Sequence, residues 1–232
     1  MNYGLFFGLL ALAVVTALLF IVLSYGQRSL LSLALKAIAS FCFVLLGFGA
    51  LLSKGISLSM WLMIMGLIAS IIGDVVLALP DMNSMEKQAT TLTLMGGLAF
   101  AVAHIFYISG MIVSFGFRWW IILIAIALGL IFFFGNKIIG KLDYGPLNAG
   151  MPFYATFVSL VVAESVMSFV SGTKVMVCLS LLIGFVLFWL SDIVLMNIYF
   201  GKKTNKQKQH LYYYNLAFYY GAQILIAVSL WL

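Results

Sequence analysis

Apolar runs of about 20 residues recur along almost the whole chain, and they restrict its fold more than any other feature. A helix needs about 20 apolar residues to cross the hydrocarbon of a bilayer. Inside lipid, backbone polar groups must be satisfied within their own segment, so each run predicts a helix rather than a strand. The eight predicted spans cover 3–24, 32–52, 57–79, 93–114, 118–135, 149–170, 174–197 and 211–231.

The composition agrees with a membrane protein. Of the 232 residues, 65% are hydrophobic and only 8% are charged, whereas soluble domains carry about 25% charged residues. The net charge of +6 comes from basic residues in short loops, which indicates contact with anionic headgroups rather than nucleic acid. Cys42 and Cys178 lie inside apolar runs and are interpreted as small buried hydrophobic residues. The sequence predicts one all-α transmembrane domain over residues 1–232, with membrane lipids as partners.

The basic residues are divided unequally between the two sides of the predicted membrane. Nine of the twelve Lys and Arg residues lie in or beside odd-numbered loops, against three in even-numbered loops. The positive-inside rule therefore places the odd loops in the cytoplasm and both termini outside, as expected for a bacterial inner membrane. The most basic connection is the seventh loop, Gly201–His210. The nine are Arg28, Lys36, Lys87, Lys137, Lys141, Lys202, Lys203, Lys206 and Lys208, and the three are Lys54, Arg118 and Lys174.

One short motif is written twice. Gly73-Asp74-Val75-Val76-Leu77 has the pattern of Ser191-Asp192-Ile193-Val194-Leu195, 118 positions later. Further pairs at this spacing are Lys36 with Tyr154, Ala99-Phe100 with Ala217-Phe218 and, one residue further on, His104 with Gln223. The spacing predicts two four-helix halves, about 1–115 and 116–232, in the same orientation and related by an axis along the membrane normal.

The two aspartates are the main candidates for a functional site. An ionisable group inside a span costs about 2.5–3.5 kcal/mol on insertion scales and is functional by default. Asp74 and Asp192 are each expected about five residues before the cytoplasmic end of their spans. Six polar residues are expected to join them in one cavity that opens to the cytoplasmic leaflet: Lys36, His104, Tyr107, Tyr154, Tyr220 and Gln223.

Other polar residues in the spans have a simpler interpretation. Hydrogen bonds between membrane helices hold them together and are worth about 0.6 kcal/mol each. Asn215 and Ser159 are interpreted in this way. Glu164 lies toward the outer end of the sixth span, has no counterpart in the first half, and is either structural or of unknown role.

Several kinds of catalytic site are missing from the sequence. It contains two histidines, too few for a zinc site built on three, and it has no nucleophile elbow or phosphate-cradling glycine loop. Two facing carboxylates in a low-dielectric cavity cannot both be ionised cheaply, which leaves one acid and one base. Such a pair suits hydrolysis through an oxocarbenium-like state, and an acid-labile ether lipid fits a site in the membrane. Lys36 is placed to bind a lipid phosphate, and the sequence does not decide which Asp is the acid.

Several of these motifs resemble the signatures of a known family. The stretch Gly73–Pro80, followed by Gly96-Gly97-Leu98-Ala99-Phe100, resembles the first signature of the YhhN family of lysoplasmalogenase-like membrane proteins. Phe188–Asp192 and Tyr219–Gln223 resemble its later signatures. The resemblance extends from Lys36 to Gln223. The sequence departs from the family pattern at Ala37, where members often have proline. This difference affects the local helix geometry more than the function.

The resemblance implies a specific activity. It implies an eight-span hydrolase that cleaves the vinyl ether of lysoplasmenyl-ethanolamine or lysoplasmenyl-choline to a fatty aldehyde and a glycerophospho-headgroup, with a lysophospholipid as substrate. Asp74 and Asp192 would be catalytic, and His104, Tyr107, Tyr154, Tyr220 and Gln223 would position substrate and water. Neither a metal nor an organic cofactor is implied. Two alternatives are a small-molecule or lipid transporter with a polar site on the cytoplasmic side, and a structural or stress-related membrane protein. The oligomeric state is open.

Overall fold

The computed structural model describes residues 2–23, 30–79 and 86–232, with the backbone alone at 86–90 and 146. Within these ranges the chain forms eight α-helices and one 3₁₀ helix, Gly145–Ala149, and contains no β-strand. The predicted all-α class is therefore confirmed. The helices are α1 Tyr3–Leu23, α2 Leu30–Lys54, α3 Leu58–Ala78, α4 Glu86–Phe115, α5 Ile121–Ile138, α6 Met151–Val170, α7 Val175–Phe200 and α8 Asn205–Ser229.

Seven helices in the described part of the chain, α1 to α7, are long and apolar enough to cross a membrane. The protein is thus a multi-pass membrane protein. Helix α8 is long enough, but its tyrosines and amides lower its mean hydropathy. The eighth membrane span therefore stays a prediction.

The start of α8 differs from the sequence prediction. Helix α8 begins at Asn205, so most of the predicted seventh loop, Gly201–His210, is helical. A capping box explains the early start. The Gln207 amide N–H donates to Thr204 Oγ1 over 3.3 Å, and the Thr204 amide N–H donates to Gln207 Oε1 over 3.0 Å. Lys206, Lys208 and His210 consequently lie on the first turns of α8 rather than in a loop.

The distances of the two aspartates from their helix ends also differ from the prediction. Helix α3 ends at Ala78, four residues after Asp74, whereas α7 continues to Phe200, eight residues after Asp192. The predicted equal distance of about five residues is therefore wrong. The amide of Asn197 donates to the Ile193 carbonyl over 2.9 Å and to Asn136 Oδ1 over 2.9 Å. Asn197 therefore lies inside α7 with its side-chain amide hydrogen-bonded. Arg28 and Pro80, used in the predictions above, lie outside the described residues, as does the side chain of Lys87.

The chain divides into two compact units. One comprises Met1–Ser114 with Ile226–Leu232, and the other comprises Phe115–Leu225. In the first unit α2 packs against α1 and α3, and in the second α6 packs against α5 and α7. The indole N–H of Trp231 donates to the Leu46 carbonyl over 2.8 Å, which fastens the C-terminal segment to α2 within the first unit.

Small residues set the contact between α3 and α4. A Cβ on Gly66 would collide with the ring of Tyr107, and one on Gly73 would lie 2.8 Å from the ring of Phe100. The two glycines and the two aromatic residues are each seven positions apart, as expected for antiparallel helices in a fixed register. Small residues allow close approach of membrane helices, and here they hold Asp74, next to Gly73, at a fixed rotation about α3.

Candidate active site

In the first unit the carboxylate of Asp74 is held by two side chains of α2. Lys36 Nζ lies 3.4 Å from Asp74 Oδ1, and Ser40 Oγ donates to Oδ2 over 2.6 Å. Lys36 and Ser40 are one turn apart, so they present their polar atoms on the same face of α2. Asp74 is 2% exposed and Ser40 is fully buried. The predicted proximity of Lys36 and Asp74 is therefore observed, and both carboxylate oxygens have donors.

A second group of polar atoms lies one turn before Asp74 on α3. Ser70 Oγ donates to the Gly66 carbonyl over 3.0 Å and lies 3.2 Å from the Tyr107 hydroxyl. Tyr107 meets His104 edge-on, with ring centroids 6.3 Å apart. His104 Nδ1 is 2.8 Å from the Phe100 carbonyl. Because a carbonyl oxygen only accepts, Nδ1 carries a proton and donates it to this carbonyl.

In the second unit Asp192 has a different kind of partner. The Tyr154 hydroxyl on α6 donates to Asp192 Oδ2 over 3.1 Å. Asp192 is 2% exposed, and Tyr154 is partly buried against the hydrophobic cluster that contains Phe132 and Ala155. The predicted proximity of Tyr154 and Asp192 is thus observed. Asp74 and Asp192 belong to different units, and the single cavity expected for both stays a prediction.

The residue before Asp192 connects α7 to α8. Asn215 Nδ2 donates to the Ser191 carbonyl over 2.9 Å and to its hydroxyl over 2.8 Å. Earlier on the same helix, the indole N–H of Trp189 donates to Ser159 Oγ over 3.0 Å. These contacts agree with the interpretation of Asn215 and Ser159 as connections between helices. They also fix the rotation of α7 just before Asp192.

The two remaining predicted residues lie on α8. Tyr220 is 2% exposed and packs edge-on against Tyr219, with centroids 5.3 Å apart. Gln223 is fully buried one turn later, so the two share a helix face. Their predicted role in positioning substrate is not tested by these contacts.

Glu164 is a third buried acid, and it has a cation of its own. Its Oε1 lies 3.4 Å from an Arg118 guanidinium nitrogen and accepts a hydrogen bond from Ser168 over 3.2 Å. Arg118 comes from the short segment before α5, and its side chain is 26% exposed. The pair joins that segment to α6 within the second unit. Of the two interpretations left open for Glu164, the contacts favour the structural one.

Four of the residues that make these contacts were not predicted from the sequence: Ser40, Ser70, Asn136 and Asn197. The signal for the serines was present, because Ser40 is one turn after Lys36 and Ser70 is one turn before Asp74. For the asparagines no such signal exists, since 61 positions separate them. Among the described residues there is no group of three or more His, Cys, Asp or Glu placed to hold a metal ion.

Taken unit by unit, the geometry offers two distinct carboxyl environments. Asp74 faces an ammonium and a hydroxyl, and Asp192 faces a phenol. Both are shielded from water, so their interactions are stronger than they would be in bulk solvent. An ionised carboxylate stabilises positive charge and accepts protons, and a protonated carboxyl donates them.

Among the comparisons with known proteins, a match to one family model is found. No curated protein and no solved structure matches this chain. The family model of the YhhN family matches residues 31–230, which is most of the chain and includes both aspartates and their partners. The protein therefore belongs to the YhhN family.

Proposed function

We propose that this protein is a membrane-embedded hydrolase of the lysoplasmalogenase type. The reaction is cleavage of the vinyl ether of lysoplasmenyl-ethanolamine or lysoplasmenyl-choline, which yields a fatty aldehyde and a glycerophospho-headgroup. The observation that carries the proposal is the pair of buried carboxyl groups, Asp74 and Asp192, in a chain of the YhhN family. Each has its own hydrogen-bond donor on the neighbouring helix.

Vinyl ether hydrolysis needs the two functions that a pair of carboxyl groups supplies. A general acid protonates the vinyl carbon and produces an oxocarbenium ion, and a carboxylate stabilises this cation and activates the attacking water. Asp74 and Asp192 are the proposed pair. Water and substrate are positioned by the remaining predicted residues, which are His104, Tyr107, Tyr154, Tyr220 and Gln223. This scheme uses the side chains of the chain alone.

Lys36 fits the proposal as a binding residue. Its ammonium group contacts Asp74 over 3.4 Å, and an ammonium group can donate to more than one oxygen. In the proposal Lys36 also binds a phosphate of the lysolipid. The substrate then enters from the membrane, and membrane lipids and the lysophospholipid are the proposed partners.

The direct test is aldehyde release by the purified protein in detergent. With a lysoplasmenyl lipid as substrate, aldehyde can be followed by coupling to an aldehyde dehydrogenase and recording NADH. Asp74→Asn and Asp192→Asn should each lower kcat by about 10²- to 10⁴-fold, the usual contribution of general acid–base catalysis. Glu164→Gln is the matched control: it also removes a buried carboxylate but should retain activity.

Two outcomes contradict the proposal. If both Asp variants turn over like the wild type, the carboxyl groups are not catalytic. If the wild type releases no aldehyde but moves a labelled solute across vesicle membranes, the transporter is the better description. An acyl lysophospholipid, which has an ester instead of the vinyl ether, serves as the substrate control and should not be cleaved.

A further inference from the structure

The two units differ at the side chain that contacts the aspartate. Lys36 and Tyr154 are 118 positions apart, as are Asp74 and Asp192. In each unit the earlier residue contacts the aspartate 38 positions later, through 3.4 Å for Lys36 Nζ and 3.1 Å for the Tyr154 hydroxyl. The same placement in the chain thus presents a cation to one carboxyl group and a neutral phenol to the other.

Asp74 has the surroundings of an ionised carboxylate. Its Oδ1 faces an ammonium, and its Oδ2 accepts from Ser40 over 2.6 Å, a length typical of an O–H donor on a charged acceptor. An opposite charge within about 4 Å favours the charged form of a carboxyl group. Both oxygens therefore act as acceptors, and Asp74 holds a negative charge that Lys36 balances.

Asp192 has the surroundings of a neutral carboxylic acid. Val158, 1% exposed, occupies the position that corresponds to Ser40. Among the described residues of the second unit, no Lys, Arg or His nitrogen forms an ion pair with Asp192, and its hydrogen bond there comes from Tyr154 to Oδ2. A buried charge without a counter-ion is strongly unfavourable. With Oδ2 accepting from Tyr154, Oδ1 is the oxygen that carries the proton.

We propose, on the basis of the proposed function, that Asp192 is the proton donor of the reaction and that Asp74 is the ionised carboxylate. In the first step Asp192 gives its proton to the vinyl carbon remote from the ether oxygen, and the double-bond electrons form the new C–H bond. The adjacent carbon becomes an oxocarbenium ion, whose positive charge Asp74 stabilises.

The remaining steps restore both groups. Water adds to the oxocarbenium carbon and gives one proton to Asp74, and the lipid thereby becomes a hemiacetal. The hemiacetal collapses when Asp192 takes the proton of the new hydroxyl group and Asp74 returns its proton to the departing ether oxygen. The C–O bond breaks, aldehyde and alcohol leave, and Asp192 is again protonated while Asp74 is again ionised. One water molecule is consumed.

Tyr154 is a positioning residue in this scheme. It holds Oδ2 of Asp192 and so directs the protonated Oδ1 toward the substrate. Lys36, in contrast, stabilises the negative charge of Asp74 and so keeps this carboxyl group ionised between turnovers. An exchange of the two contacts would exchange the roles of the aspartates.

Infrared spectroscopy tests this assignment without relying on turnover. A protonated carboxyl group gives a C=O stretching band separate from the bands of carboxylates. At neutral pH the detergent-purified wild type should show this band, and labelling with carboxyl-¹³C aspartate should shift it. The band should be lost in Asp192→Asn and retained in Asp74→Asn, with Glu164→Gln as the control for the other buried acid.

A second variant keeps the test decisive if Asp192→Asn does not fold. In Tyr154→Phe the carbonyl oxygen loses its hydrogen bond, so the band should move to higher frequency without disappearing. A merely structural role of Tyr154 would leave the band unmoved. Loss of the band in Asp74→Asn, or its persistence unchanged in both Asp192→Asn and Tyr154→Phe, overturns the assignment.

The outcomes separate this inference from the proposed function. If aldehyde is released but the aspartate band belongs to Asp74, the hydrolase proposal stands and the assignment of roles is wrong. If the band belongs to Asp192 but no aldehyde is released, the difference in protonation stands and the reaction is wrong. In that second case Asp192 remains a proton-carrying group whose substrate is of another class.

Discussion

At the scale of single residues, the stability of the protein depends on the buried ion pair between Lys36 and Asp74. Their side chains are 10% and 3% exposed, so neither charge is hydrated as in water. Removal of one partner from a buried pair is usually far more costly than removal of both, because it leaves a charge without compensation. Substitution of one partner alone should therefore destabilise the protein more than substitution of both.

Lys36→Met should consequently destabilise the protein by about 3 kcal/mol, the lower end of the range for a broken buried pair. The double variant Lys36→Met with Asp74→Asn should lie closer to the wild type than Lys36→Met alone, because the uncompensated charge is gone. Denaturant unfolding of the detergent-purified protein measures both. Lys202→Met, at an exposed position between α7 and α8, is the control and should leave the unfolding midpoint unchanged. Equal stability of Lys36→Met and wild type would mean that Asp74 is not charged.

At the scale of helices, the close contact of α5 with α6 depends on one position. A Cβ on Gly129 would lie 2.6 Å from the Cα of Thr156 and 2.7 Å from its backbone nitrogen. Backbone atoms cannot move aside as a flexible side chain can, so α5 would have to shift as a whole. Helix α6 carries Tyr154 only two residues before Thr156, so the same shift would reach the partner of Asp192.

Gly129→Ala should therefore lower the free energy of unfolding by about 2 kcal/mol, within the range for overpacking. Gly135→Ala on the same helix is the matched control, since a Cβ there meets no atom within 4 Å. Alanine forms helices better than glycine by up to about 1 kcal/mol, so the control should be neutral or slightly stabilising. The two variants are compared by unfolding in one detergent. A loss of stability in Gly135→Ala, or none in Gly129→Ala, would contradict the contact described.

The sequence reveals the helices more completely than their contacts. Length and apolarity suffice to place α1 to α7, because lipid leaves the backbone no other regular structure. The Thr204–Gln207 capping box was also readable, although the basic residues around it favour a loop. The contact of Arg118 with Glu164 was not readable, since it joins residues 46 positions apart. Such contacts depend on the rotation of each helix about its axis, which packing glycines such as Gly66 and Gly73 determine.

At the scale of the whole molecule, the repeat spacing connects residue pairs that would otherwise be unrelated. Lys36 with Asp74 and Tyr154 with Asp192 occupy matching positions and make matching contacts. Their chemistry nevertheless differs, because one carboxyl group contacts an ammonium group and the other a phenol. The contacts support the predicted two-half architecture, which stays a prediction for the chain as a whole.

The predicted repeat also determines on which side of the membrane the loops lie. If the two halves have the same orientation, the odd-numbered loops all lie on one side. These are the loops between α1 and α2, α3 and α4, α5 and α6, and α7 and α8. From the distribution of the basic residues we propose that this side faces the cytoplasm of a bacterial inner membrane. Cysteine labelling of intact cells tests this proposal, and the native Cys42 and Cys178 are buried and should give little background. Phe117→Cys, at a position 64% exposed, should react with a membrane-impermeant maleimide from outside. Lys202→Cys should react only after the membrane is permeabilised, and the reverse pattern would invert the proposed topology.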